Sequence, residues 1–150
     1  MTRTSLLLFL LFAPGPLSSG QRIGPCPPNP PRSPRNVQEL KGVVVDENSA
    51  VIPKVKVRLQ VPDGKDFRDI VAAETDPTGR FNFEAQPSGN YRLVFAGVTG
   101  FCRATIPVRY SKAGFKGIRL TLPVAASDSC PQDCDSKLKV EEMTGREGRE

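Results

Sequence analysis

The chain has no histidine and no tryptophan among its 150 residues. Histidine is the side chain whose ordinary pKa lies nearest neutrality and is the commonest neutral metal ligand. Its absence excludes serine–histidine catalysis, histidine-ligated zinc and histidine-based iron centres. Tryptophan, the largest ring for stacking on sugars or bases, is missing, and there are only two tyrosines. Long apolar runs are missing too. The longest, Leu6–Phe12 with its neighbours, falls well short of the about 20 residues a helix needs to cross a bilayer. Charge of one sign is scarce: the formal balance is +5. That surplus describes a solvated surface, not the dense basic patch with interleaved aromatics expected of a nucleic-acid binder. Nothing in the sequence calls for a cofactor or a metal.

What the chain does contain is turn chemistry, with 15 prolines and 13 glycines, a composition that favours short strands joined by tight turns. The most informative stretch is Thr75–Phe95. Asp76, Pro77 and Gly79 occupy the order a type I turn asks for. Phe81 and Phe83 then alternate with Arg80, Asn82 and Glu84. After a second turn at Pro87-Ser88-Gly89, Tyr91, Leu93 and Phe95 alternate with Asn90 and Arg92. Each strand has one apolar and one wet face, and two such strands need a second sheet to bury against. Asp76, Gly79 and Gly89 are thus assigned structural turn roles.

Around this centre the chain divides into four parts. Residues 1–20 read as a signal peptide, with Arg3 at the start, a short apolar core, and small Ser18 and Gly20 before a cleavage site at Gln21. Removing them leaves 20 basic against 16 acidic side chains, or +4. Residues 21–36 are a proline-rich linker suited to polyproline II. Residues 37–124 carry seven short strand signals at sandwich spacing. Among them Val55, Val57 and Leu59 point inward, and Lys54, Lys56 and Arg58 form an outward row, for which a binding stripe is the alternative to the commoner reading of a solvated strand face. Pro107 argues for an edge or a bulge in its strand. Residues 125–150 are a cysteine-containing charged tail, in which Lys137–Met143 is expected to fray rather than form a turn or two of helix. The fold class is all-β, a seven-stranded antiparallel β-sandwich with flexible tails, exported to the periplasm or medium, with no membrane span in the mature chain.

Several spaced motifs carry a family resemblance: Gly42-Val43-Val44-Val45-Asp46, Ile52-Pro53, Val55–Leu59, Thr75-Asp76-x-x-Gly79-x-Phe81-x-Phe83 and Pro87-x-Gly89-x-Tyr91-x-Leu93. From about Lys41 to Pro123 the chain resembles the carboxypeptidase regulatory-like domain of secreted bacterial proteins. That resemblance implies a prealbumin-like (transthyretin-like) Greek-key sandwich, grouped with carbohydrate-binding-like folds and usually non-catalytic. Relatives on similar sandwiches, the hydroxyisourate hydrolases and intradiol dioxygenases, rely on histidines this chain does not have. Pilin repeats of similar fold form an isopeptide bond through an asparagine on the last strand, and Gly117–Pro123 contains none. The chain departs from the family at Asn48 and Ser49, where a turn glycine is common, and at Lys54, where a small residue is usual. All three are turn positions expected to tolerate the change.

Cys26, Cys102, Cys130 and Cys134 are the disulfide candidates, since an even number of cysteines in an exported chain points to bridges. Three pairings are open, including a local Cys130–Cys134 bridge. The scattered carboxylates Asp46, Glu47, Asp63, Asp66, Asp76, Asp133 and Asp135 do not make a calcium loop. Phe67, Tyr110 and Phe115 are the aromatics left over as candidates for facing a ligand. The expected function is that of a non-catalytic exported module with a structural or protein-interaction role and an unknown protein or cell-envelope partner. Carbohydrate binding is the alternative, and nucleic acid is not expected.

Overall fold

The computed structural model describes residues 32–125, 134 and 136–144. The leader, most of the proline-rich linker, Cys26 and Cys130 lie outside these residues. Among the described residues there are nine strands: β1 (Arg35–Val37), β2 (Lys41–Val45), β3 (Lys56–Asp63), β4 (Asp66–Glu74), β5 (Arg80–Asn82), β6 (Gly89–Ala96), β7 (Ala104–Tyr110), β8 (Ile118–Thr121) and β9 (Lys139–Glu142). They form two packed sheets, one of five strands in the order β1-β7-β6-β3-β4 and one of four in the order β5-β2-β8-β9.

Alternation builds the core as the sequence leads one to expect. Val57 and Leu59 of β3, Leu93 and Phe95 of β6, and Ile106 of β7 are all buried on the inner face of the larger sheet. Phe81, Val44 and Leu120 meet them from the smaller sheet. The Phe81 ring stands edge-on to Phe95, with centroids 5.5 Å apart and planes at 72°, a favoured geometry for an aromatic pair. Gly42 permits the close approach beneath it. A Cβ there would lie 2.1 Å from the Ile118 carbonyl oxygen and 2.9 Å from the Phe81 ring.

The all-β sandwich stands, and three of its details differ from expectation. There are nine strands rather than seven, because β1 and β9 come from segments read as linker and charged tail. Lys139–Glu142 is ordered by pairing antiparallel with β8, Leu120 opposite Val140, so neither fraying nor helix describes it. Two pairings are also parallel rather than antiparallel, β1 with β7 and β2 with β8. Pro107 lies in an inner strand, but β1 pairs only with Val108–Tyr110. The half of β7 that holds the proline therefore has an open side, where a missing N–H breaks no ladder.

The outermost strands of the two sheets meet at one rim. Arg35 of β1 reaches Glu142 of β9 with a 3.6 Å Nη1–Oε1 ion pair. Cys102, next to β7, is bonded to Cys134, which precedes β9, with Cα atoms 5.6 Å apart. Of the three pairings open from the sequence, this bond rules out two, the one with a local Cys130–Cys134 bridge and the one that would join Cys134 to Cys26.

Candidate functional site

Residues that alternate with the core strands of the larger sheet point away from the smaller one. Lys56, Arg58 and Gln60 do so on β3, and Asn90, Arg92 and Val94 on β6. On β4 the register places Phe67, Asp69 and Ala72 on the same outer side, opposite Pro62, Gln60 and Arg58. The ladder shifts between Leu59 and Gln60. That bulge brings Asp69 level with Gln60.

A connected polar network crosses these three strands. Arg58 Nη1 donates to Asp69 Oδ2 at 3.1 Å, and Gln60 Nε2 donates to Asp69 Oδ1 at 2.5 Å. Arg92 Nε donates to Gln60 Oε1 at 2.9 Å, and its guanidinium lies 3.6 Å above the centre of the Phe67 ring. Gln60 is only 7% exposed although it faces outward, so its orientation is fixed. The hydrogen bond from Gln60 and the charge of Arg58 hold the Asp69 carboxyl below the usual carboxylate range. Burial and the nearby charge of Arg103 lower the pKa of Arg92. The product is a cation–π contact joined to a rigid carboxylate, both stronger for being held in place.

Of the residues singled out from the sequence, Phe67, Lys56 and Arg58 lie on this face and the others lie elsewhere. Tyr110 packs against the core on the inner side, edge-on to Tyr91 with centroids 6.5 Å apart. Phe115 is bridged to Val37 of β1. Phe67, on β4, and Phe115, beside β1, thus belong to opposite edges of the larger sheet. The structure does not bring the three rings together. Asp76 ties its own turn: Oδ1 accepts from Thr78 N at 2.8 Å, Thr78 Oγ1 at 2.7 Å and Arg80 N at 3.0 Å. Gly79 has φ of 73° and lies where a Cβ would approach the Val44 carbonyl oxygen at 2.7 Å. Gly89 opens β6, paired with Tyr110. Lys54 leaves the row with Lys56 and Arg58, since it sits in a turn at φ 61°. Among the described residues no group of three or more His, Cys, Asp or Glu side chains is placed to hold a metal ion. No helix among them is long and apolar enough to cross a membrane.

The model of the carboxypeptidase regulatory-like domain matches residues 39–127. The chain belongs to this family. Among solved structures, the carboxypeptidase regulatory-like sandwich is similar to Klebsiella pneumoniae 5-hydroxyisourate hydrolase, with a TM-score of 0.51 at 17% identity over 71% of this chain and 99% of that one. It also matches (S)-allantoin synthase, with a TM-score of 0.40 and 17% identity over 71% of this chain and 43% of that one. The likeness to the hydrolase is one of fold, of the transthyretin-like kind. No curated protein matches the chain.

Sequence reasoning missed Gln60, Asp69, Arg92 and Arg103 as members of one surface. The outward alternation of Arg92 between Tyr91 and Leu93 was the available signal, but strand register decides which residues it meets.

Proposed function

We propose that this carboxypeptidase regulatory-like domain is an exported, non-catalytic module that works by binding a partner of the cell envelope through the outer face of its five-stranded sheet. The observation that carries this reading is the ordered network from Arg58 through Asp69 and Gln60 to Arg92 and Phe67. These side chains are held in one arrangement although they face away from the core. Preorganised polar and charged side chains on a rigid sheet lower the entropy lost on association. Export is supported by the leader-like residues 1–20, and the lack of catalysis by the absence of histidine from the whole chain.

The test is fractionation of the producing cells. The protein should be retained with the envelope. The Arg58→Gln/Arg92→Gln pair should release it into the soluble exported fraction, whereas Lys116→Gln/Lys139→Gln, away from that face, should not. Equal retention of both variants overturns the reading, as does turnover of 5-hydroxyisourate by the purified protein above the uncatalysed rate.

A further inference from the structure

The outer face of the larger sheet has a charge pattern beyond the network itself. Lys56 and Arg58 stand on β3, Arg92 on β6 and Arg109 on β7. Arg103, one residue before β7, is close enough for its charge to act on both Asp69 and Arg92. Against these five cations the same face sets two carboxylates, Asp69 and Glu74. Asp69 is already engaged by Arg58 and Gln60, whereas Lys56 and Arg103 have no ion-pair partner among the described residues. Arg109 is steadied by Asn90 at 3.3 Å. The floor between the cations is made of small side chains. Ala96 lies opposite Lys56, and Val94 opposite Arg58. A hollow of about 590 Å³ opens there, lined by Lys56, Arg58, Ala72, Glu74, Ala96 and Gly97.

We infer that this face receives an acidic polysaccharide, one with carboxylates on its repeating sugars; the inference rests on the binding-module reading above and names the partner's chemistry. Three features favour that occupant. The seated Asp69 shows that the face accepts a carboxylate between a guanidinium and an amide. The cations are spread over three adjacent strands at spacings of about 4.8 Å per strand, which suits a chain carrying its charges at intervals better than a single small anion. The hollow is open rather than enclosed, unlike the pocket a protein hot-spot residue fills, and Phe67, the exposed ring of this face, already carries Arg92 on one side, where a base would otherwise stack. Complementary charge on a shallow, ordered surface supplies the recognition.

Affinity electrophoresis of the mature, oxidised protein through gels holding polygalacturonate, a neutral glucan, double-stranded DNA or poly-glutamate tests this. The expected result is retardation by polygalacturonate, weakening as salt rises, with no retardation by the glucan. Arg58→Gln/Arg103→Gln should weaken it at least tenfold, and Lys116→Gln/Lys139→Gln, with the same change in net charge, less than twofold. Stronger retardation by DNA or poly-glutamate than by polygalacturonate overturns the polysaccharide assignment, as does equal loss in both variants. If polygalacturonate fails while envelope retention still depends on Arg58 and Arg92, this inference falls and the module reading stands. If retention is also independent of them, both fall.

Discussion

Thr75 is the polar residue on which the β4–β5 corner depends. It is 4% exposed, its Oγ1 donates to the Ile52 carbonyl at 2.8 Å, and the same oxygen accepts from Val55 N at 2.9 Å. Thr75→Val keeps the shape but strands both backbone groups in a dry site, an expected loss of about 1–3 kcal/mol that Ser should largely restore; urea denaturation of the three proteins measures it. Beside it, Lys54 holds a left-handed φ of 61°, a conformation that costs an L-residue roughly 1–2 kcal/mol. The family's preference for a small residue there thus has a backbone reason, and the position is strained rather than indifferent. Lys54→Gly should raise stability by about 0.5–1 kcal/mol once glycine's greater freedom in the unfolded chain is subtracted; a destabilised variant would contradict this. Asp76 titrates below the usual carboxylate range because Thr78 Oγ1 and the Thr78 and Arg80 amides hydrogen-bond its charged form. Its folded pKa is the lower one, so its contribution is complete above the unfolded value of about 3.9. That contribution fades as pH falls through the folded value. The difference in stability between the wild-type protein and Asp76→Asn should therefore be constant near neutrality and shrink at acid pH.

At the scale of elements, the disulfide decides how firmly β9 is held. Cys102 to Cys134 spans 32 residues, and closing such a loop restricts the unfolded chain by about 4 kcal/mol in the chain-entropy account. In Cys102→Ala/Cys134→Ala, amide exchange should quicken first in β9 and along its seam with β8, with β3 and β6 still protected; uniform quickening would show that β9 does not open on its own. The same strand shows where sequence reading stops. β3 and β6 were legible because Val57, Leu59, Leu93 and Phe95 repeat an alternation over eight-residue strands. β9 is four residues with alternating exposed and half-buried positions, and β1 is three with one buried side chain. Neither offers enough apolar period to be told from a tail, and both owe their order to a partner strand. The outer-face network was hidden for a related reason. Arg92 and Gln60 are 32 residues apart in the chain, and only the register of β3 with β6 makes them neighbours. The cysteines announced bridges, but their pairing depends on the path of β9.

For the whole molecule, the Arg35–Glu142 contact has a topological consequence. The first and last strands belong to different sheets, yet their side chains are 3.6 Å apart. A short glycine–serine link from the end of β9 to the start of β1 would thus close the fold into a ring, which could be cut at the two-residue β3–β4 connection, Gly64-Lys65, at the exposed far end. Such a circular permutant should fold with its circular dichroism unchanged and its melting temperature lowered by only a few degrees; an unfolded or aggregated product would mean that chain order, not just contact, matters at this rim. The same adjacency makes the sandwich a cassette: spliced into a surface loop of another protein, it would ask the host to open a gap no wider than the rim itself, with the cationic sheet face turned outward.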